Sequence, residues 1–142
     1  MLENTEEQQL MERYLRNSHV FNLATAVDNQ PSNRFMFYFT PVEFNDTIYA
    51  VSPFDSRKLF EIEQNAQVSF ATMPTRVDQG VVTSNTATAT VSDRSIRDIL
   101  PLIQAQIPNW EAIAGDVKDN FVVIEIKFQS AKIFGHQGIT SL

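Results

Sequence analysis

The feature that most constrains the fold is a run of alternating residues in the second half of the chain. Within residues 81–91, positions 86 to 91 read Thr-Ala-Thr-Ala-Thr-Val. Successive side chains of a β-strand point to opposite faces of a sheet, so this period of two predicts one long strand over residues 81–91. The remaining segments decide which kind of sheet this strand joins.

Several other segments have the apolar, β-branched and aromatic character of strands. They are residues 20–27, 34–39, 47–52, 68–73, 121–128 and 131–134. Turn-forming residues separate the first three of them, with Asp-Asn-Gln-Pro at positions 28–31 and Asn-Asp at positions 45–46. The chain is therefore expected to contain a succession of short strands.

Three segments show the spacing of apolar residues that is typical of amphipathic helices. The helices are predicted at residues 6–17, at residues 56–65, and from a cap at Ser92 or Asp93 to residue 107. Pro101 lies inside the third segment, where proline removes a backbone hydrogen bond and clashes with the preceding turn. We therefore predict a kink or a break at Leu100.

The order of these elements predicts the fold class. Neighbouring β segments without a regular alternation of strand and helix favour an antiparallel sheet closed into a barrel over a doubly wound parallel sheet. The 142 residues contain no repeat, linker or low-complexity tract, and they are 43% hydrophobic. We therefore predict a mainly β fold with flanking helices, formed by residues 1–142 as a single domain.

Charge and composition argue against several functional classes. A formal net charge of −6 opposes the attraction to phosphate on which nucleic-acid binding relies, and it opposes adsorption to an anionic membrane. The acidic start does not resemble a secretory signal, and no apolar run is long enough to cross a bilayer, so a cytoplasmic location is expected. The chain lacks cysteine, and His19 lies far from His136, so no metal site is expected.

A group of cations at the predicted start of the second helix is the candidate ligand site. Ser56, Arg57 and Lys58 follow shortly after a β segment. Cations are disfavoured at the positive end of a helix dipole, whereas a phosphate there would be held by backbone N–H groups, the hydroxyl and both cations. The alternative is a solvated helix start in which Arg57 or Lys58 pairs with Glu61. The residues alone leave both interpretations open.

The sequence around this group resembles a known family. Residues 48–58 read IYAVSPFDSRK, and residues 61–70 continue as EIEQNAQVSF. A strand that ends in a hydroxyl residue, a short loop to Ser-Arg-Lys, and a helix that ends in Asn before a Val-Ser strand are similar to the signature of the pyridoxamine 5′-phosphate oxidase-like family. Residues 23–34 are similar to the family's first hairpin. The resemblance implies an antiparallel, FMN-binding split β-barrel of Greek-key type.

The resemblance also implies a cofactor and the residues that bind it. The family binds FMN in a cleft between two subunits, which implies a homodimer with the flavin at the subunit interface. By position, the residues that match the phosphate grip are Ser56, Arg57 and Lys58, and those that match the flavin edge are Val51 and Ser52. The strand of residues 34–39 would line the isoalloxazine ring, with Arg34 near the ring or the ribityl–phosphate end of FMN. Its cofactor-binding residues would be Arg34, Phe35, Met36 and Phe37.

Several of these residues also have a purely structural interpretation. The phenylalanines of residues 34–39 can belong to the core, Arg34 can lie at the surface end of a strand, and Ser52 can belong to a turn. Trp110 is expected to plug the core rather than to reach the flavin of a partner subunit. The acidic residues expected on solvated faces are Glu61, Glu63, Asp116 and Asp119.

Two departures from the oxidases bear on function. No arginine follows Arg97, although the oxidases place Arg on a C-terminal strand, and Phe39 stands where many of them place a lysine. Both features argue against pyridoxamine phosphate as the substrate. We therefore expect an FMN-dependent oxidoreductase that uses another small-molecule substrate or electron donor. The alternative is a non-catalytic protein that binds flavin, deazaflavin or haem on the same scaffold.

Overall fold

A computed structural model of the protein describes residues 5–76, 79–114, 120–135 and 138–142. Four helices and eight strands lie in these ranges. The helices are α1 (Glu6–Asn17), α2 (Arg57–Gln64), α3 (Ile96–Gln106) and α4 (Trp110–Ala114). The strands are β1 (Val20–Val27), β2 (Gln30–Phe39), β3 (Thr47–Pro53), β4 (Gln67–Thr72), β5 (Val81–Ser95), β6 (Phe121–Phe128), β7 (Lys132–Gly135) and β8 (Gly138–Ser141).

Six of the strands close into a barrel. Hydrogen-bonded neighbours follow the order β4-β1-β2-β3-β6-β5, and β5 returns to pair with β4. All of these pairings are antiparallel. β7 pairs with the beginning of β5, and β8 pairs with β7. The predicted antiparallel barrel with flanking helices is confirmed, and the long alternating strand β5 is the one that closes it.

The barrel interior holds the larger of two hydrophobic clusters. Met36 and Tyr38 of β2 belong to this cluster, and the ring of Tyr38 lies 5.2 Å from that of Phe21 between centroids. The Tyr38 hydroxyl donates a hydrogen bond to the carbonyl of Leu15 at 2.6 Å, and burial raises the pKa of this phenol. Since Leu15 and Met11 of α1 are themselves buried in the cluster, α1 is fixed to the barrel core.

A second cluster lies on the outer surface of the barrel wall, against α3 and α4. Phe37 and Phe39 alternate with the interior residues of β2, and both contact the ring of Trp110 edge-on at centroid distances of 5.9 and 5.7 Å. Trp110 is only 3% exposed, and Val51 of β3 is buried in the same cluster. Trp110 therefore plugs a core, as predicted, and both faces of β2 are covered over this length.

The beginning of α3 differs from the prediction. β5 continues to Ser95, which pairs with Val122 of β6, so neither Ser92 nor Asp93 caps the helix. Ser95 is the N-cap residue, and its N–H donates to the carboxylate of Asp98 at 2.8 Å. The helix begins later than predicted because the strand continues to Ser95, which still pairs with β6.

A kink or a break was predicted at Leu100; α3 runs through Pro101, so the break does not occur. Ile99 and Ile103 lie on either side of the proline and are buried in the outer cluster. Packing of both turns against the barrel wall therefore outweighs the lost backbone hydrogen bond.

Two larger differences from the prediction are the start of β2 and the additional strand β8. The turn between β1 and β2 needs only Asp28 and Asn29, which have φ angles of 51° and 66°, so β2 already begins at Gln30. The short strand β8, which pairs with β7 alone, was not predicted. Neither difference alters the barrel.

Candidate functional site

Three predicted site residues meet where β3 leads into α2. Ser52 of β3 is fully buried, and its hydroxyl oxygen lies 2.6 Å from that of Ser56. The Nζ of Lys58 donates to the same Ser52 hydroxyl at 3.1 Å. Ser52 lies near the end of β3 and Ser56 directly precedes α2, so a short loop brings their side chains together. We call these three residues, together with Arg34 and Arg57, the anion cradle.

Within the described residues, the N-terminus of α2 is not capped by a side chain. Ser56 occupies the N-cap position with extended backbone angles, but its hydroxyl makes no capping hydrogen bond and contacts Ser52 instead. Such an N-terminus presents backbone N–H groups and the positive end of the helix dipole. Because Arg57 and Lys58 add two cations at this end, the geometry suits a bound anion.

Arg34 reaches the same region from β2. Its Nη1 donates to the Thr25 hydroxyl at 3.0 Å and to the Leu23 carbonyl at 3.2 Å. Its Nη2 donates to Oε1 of Glu61 at 2.6 Å, and the Arg34 side chain is 21% exposed. The guanidinium is thereby held between the barrel wall and α2.

Glu61 is buried, so the prediction of a solvated face for this residue is wrong. Its Oε1 accepts a second hydrogen bond from Thr25 at 3.1 Å, and its Oε2 lies 3.5 Å from Nε of Arg57. Burial by itself raises the pKa of Glu61. The hydrogen bond from Thr25, the charge of Arg34 and further hydrogen bonds from Arg57 and Ser32 together outweigh burial, so the pKa is lowered. Glu63, two residues later, is exposed as predicted.

The positive charge of Lys58 is disfavoured by its surroundings in the anion cradle. Burial lowers the pKa of Lys58 and the charge of Arg34 lowers it further, while Glu61 acts in the opposite direction. A charged lysine is therefore costly here, and an anion would offset that cost. Arg57 differs because its side chain is 88% exposed. Arg57 therefore pairs with Glu61, as the alternative of a solvated helix start predicted, and it also belongs to the anion cradle.

The residues predicted to line the flavin are divided between surface and core. Phe35 is 63% exposed on β2, two residues before the point where α4 covers the strand at Phe37. Met36 faces the barrel interior, and Val51 is covered by the outer cluster. Phe35 is therefore the aromatic side chain of this group that a ligand can reach.

Sequence reasoning missed Thr25 and Glu61 as members of the site. Thr25 is 3% exposed, and it has the same strand parity as the buried Leu23. A hydroxyl at an interior position needs a hydrogen-bond partner, and this need could have indicated a polar contact at Thr25. Glu61 lies one helical turn after Arg57, yet only the folded chain shows that this turn faces Arg34.

Across the described ranges, no three His, Cys, Asp or Glu side chains come together in a way that would hold a metal ion. Nor does any described helix have the length and apolar character to span a membrane. Asp116, Asp119 and His136 lie outside the described residues.

The chain belongs to the pyridoxamine 5′-phosphate oxidase-like family, whose model matches residues 14–139. The match covers the barrel and the anion cradle, so the family resemblance seen in the sequence is confirmed. Comparison with curated proteins gives no match.

Solved structures with low sequence identity share the split-barrel fold. Campylobacter jejuni ChuZ superposes with a TM-score of 0.73 at 10% identity, over 99% of this chain and 61% of its own. A heme binding protein from Mycobacterium smegmatis gives 0.73 at 13% identity, over 99% and 59%. A FAD-binding protein from Mesorhizobium loti gives 0.65 at 17% identity, over 92% and 96%. The chain thus spans about three fifths of the first two proteins and nearly all of the third.

Proposed function

We propose that this protein binds FMN through the anion cradle and uses it as a flavin-dependent oxidoreductase. The observation that carries the proposal is the N-terminus of α2, which lacks a side-chain cap while Lys58 and Arg34 crowd their charges beside it. A terminal phosphate is the part of FMN that fits such a place.

The side chains of the cradle match the needs of a phosphate monoester. Such a group carries up to two negative charges and three strong acceptor oxygens. Arg57 offers a planar guanidinium for a bidentate contact, Lys58 offers a compact charge, and the first turn of α2 offers backbone N–H groups. Ser52 and Ser56 add hydroxyls that already point to each other at 2.6 Å. These donors support the assignment of the phosphate end of the cofactor to this place.

The protein's share of the chemistry is binding and orientation. When bound, FMN supplies hydride and electron transfer itself. Phe35 offers an exposed aromatic face on β2 against which a ring can pack. This arrangement requires no nucleophile from the chain, and it leaves the small-molecule substrate or electron donor to be found by experiment.

A homodimer with the flavin at its interface is part of the proposal. Three large aromatic side chains near the cradle in sequence are strongly exposed, namely Phe35 at 63%, Phe54 at 63% and Phe60 at 58%. Exposed aromatic residues are common where a partner or a ligand covers the surface. A second copy of the chain and the flavin ring would together cover them.

The decisive experiment is the visible absorption spectrum of purified protein, with the released chromophore identified by mass and the subunit count measured by light scattering. We expect about one FMN per chain in a dimer. Colourless protein that does not take up added FMN contradicts the cofactor assignment, and haem in place of flavin contradicts it as well. A monomer with full FMN affinity contradicts the interface.

Substitution of the cradle then locates the site. Arg57→Ala with Lys58→Ala is expected to weaken FMN binding about 100-fold, since two charge-assisted contacts are lost. The control removes two exposed lysines elsewhere, Lys127→Ala with Lys132→Ala, and changes the net charge equally. Equal FMN affinity of the two double variants would contradict the location.

Reduction of the bound flavin decides between an enzyme and a carrier. Rapid bleaching of the flavin absorbance by NADH, NADPH or another donor is the outcome expected of an oxidoreductase. A flavin that remains oxidised with every donor would favour the non-catalytic binding protein.

A further inference from the structure

We propose that Glu61 positions the two arginines of the anion cradle and sets the net charge of the cradle to fit a phosphate monoester dianion. The inference rests on the proposed function, because the phosphate it concerns is that of FMN. It assigns a role in ligand selection to a residue that does not itself touch the ligand.

The geometry around Glu61 is the first argument. One carboxylate oxygen, Oε1, accepts from Nη2 of Arg34 at 2.6 Å, and the other, Oε2, lies 3.5 Å from Nε of Arg57. A single carboxylate therefore links a guanidinium on the barrel wall to one on α2. Thr25 donates to Oε1 at 3.1 Å and also accepts from Arg34 at 3.0 Å, so the carboxylate has little freedom to turn.

The mode of pairing at Arg57 is the second argument. Arg57 approaches Glu61 most closely through Nε, so the end of the guanidinium that carries the two Nη groups is not the part nearest to the carboxylate. Those two groups are part of the planar fork with which arginine binds phosphate oxygens in pairs. Arg57 is 88% exposed, and an exposed arginine is otherwise free to adopt many rotamers. Contact with a buried carboxylate reduces that freedom before the ligand arrives.

The charge of the cluster is the third argument. Arg34, Arg57 and Lys58 carry three positive charges, and Glu61 removes one of them. A net charge of two remains, which a phosphate monoester dianion neutralises. Without Glu61 the cluster would carry an excess positive charge next to Lys58, whose charge is already costly there.

Glu61→Gln tests this role because the side chain keeps its shape. The amide oxygen can still accept from Arg34, but the amide nitrogen faces the Nε–H of Arg57, donor against donor. We expect the Kd of FMN to rise about tenfold, while the Kd of riboflavin, which lacks the phosphate, stays unchanged. The matched control is Glu63→Gln on the exposed face of the same helix, with both affinities unchanged.

A second variant keeps the test decisive if Glu61→Gln does not fold. Arg57→Lys retains the charge at an exposed position but lacks the Nε that faces Glu61. We expect Arg57→Lys to reduce the preference for FMN over riboflavin several-fold in the wild-type background and to have a smaller effect beside Glu61→Gln. Such non-additivity is not expected of a residue that only stabilises the fold.

The outcomes separate this inference from the proposed function. Wild-type protein that binds FMN no more tightly than riboflavin overturns the phosphate cradle itself. Wild-type protein that prefers FMN, with the same or a stronger preference in Glu61→Gln, overturns only the role of Glu61, because the carboxylate would then be a spectator or a competitor of the phosphate. An undiminished FMN preference in Arg57→Lys overturns it as well.

Discussion

The guanidinium of Arg34 and the carboxylate of Glu61 form a 2.6 Å ion pair that joins the barrel wall to the helix carrying the cradle. Both side chains are shielded from solvent, with exposures of 21% and 6%. The pair therefore serves the fold and the site at once, since it holds α2 on the barrel and brings cations from two elements together.

Loss of this pair is expected to destabilise the protein. Glu61→Ala leaves Arg34 without its counter-charge in a largely buried place, and removal of one partner of a buried pair costs about 3 kcal/mol. Urea denaturation measures the change in the free energy of unfolding. Glu63→Ala, an exposed neighbour on the same helix, is the control and is expected to cost less than about 0.5 kcal/mol. Equal costs for the two variants would contradict the importance of the pair.

The free energy of unfolding is expected to fall at acidic pH because of Glu61. The pKa of Glu61 is lowered in the folded protein, so the folded state binds the proton less readily than the unfolded state does. The resulting stabilisation is complete above the ordinary glutamate pKa of about 4.3 and is lost as the pH falls through the lower folded value. Urea midpoints between about pH 7 and about pH 3 should therefore fall more steeply for wild type than for Glu61→Gln. Parallel curves would contradict the lowered pKa.

Packing of α1 depends on the small size of two glycines. A Cβ added at Gly135 would overlap the hydroxyl of Tyr14, and one added at Gly80 would overlap the ring of the same residue. Gly135→Ala is therefore expected to cost about 1–3 kcal/mol through overpacking. The cost should shrink beside Tyr14→Phe, which removes the atom nearest to the new methyl group. Urea denaturation of the four proteins in this cycle provides the measurement, and additive costs would exclude this contact as the cause.

Most of the fold could be predicted because local pattern and final structure agree. β1 and β6 occupy the predicted residues 20–27 and 121–128, since their alternation of buried and exposed positions is already visible in the sequence. Two failures have physical causes. Ser92 and Asp93 can end a strand or cap a helix, and the strand continues through them because Val91 and Ser95 on either side pair with β6. β8 contains only four residues without a regular burial pattern, so nothing in its sequence distinguished it from a loop.

The candidate site was predictable only where its residues are local. Ser56, Arg57 and Lys58 are consecutive, so their relation to a helix N-terminus can be read from the sequence. The hydrogen bond between Thr25 and Glu61 spans 36 positions, and its existence depends on how α2 lies across the barrel. A glutamate on a short helix is more commonly solvated, which is why burial of Glu61 was not anticipated.

The affinity of the phosphate site for FMN is expected to fall at alkaline pH because Lys58 loses its proton. Burial and the neighbouring Arg34 lower the pKa of Lys58, so its positive charge is lost at a lower pH than that of an ordinary lysine. FMN affinity is therefore expected to fall as the pH rises from about 7 to about 10. Lys58→Arg keeps its charge throughout this range and should give a flatter profile. The same titration with riboflavin corrects for ionisation of the flavin ring, because riboflavin carries no phosphate. Identical corrected profiles for wild type and Lys58→Arg would show that Lys58 does not hold the phosphate through its charge.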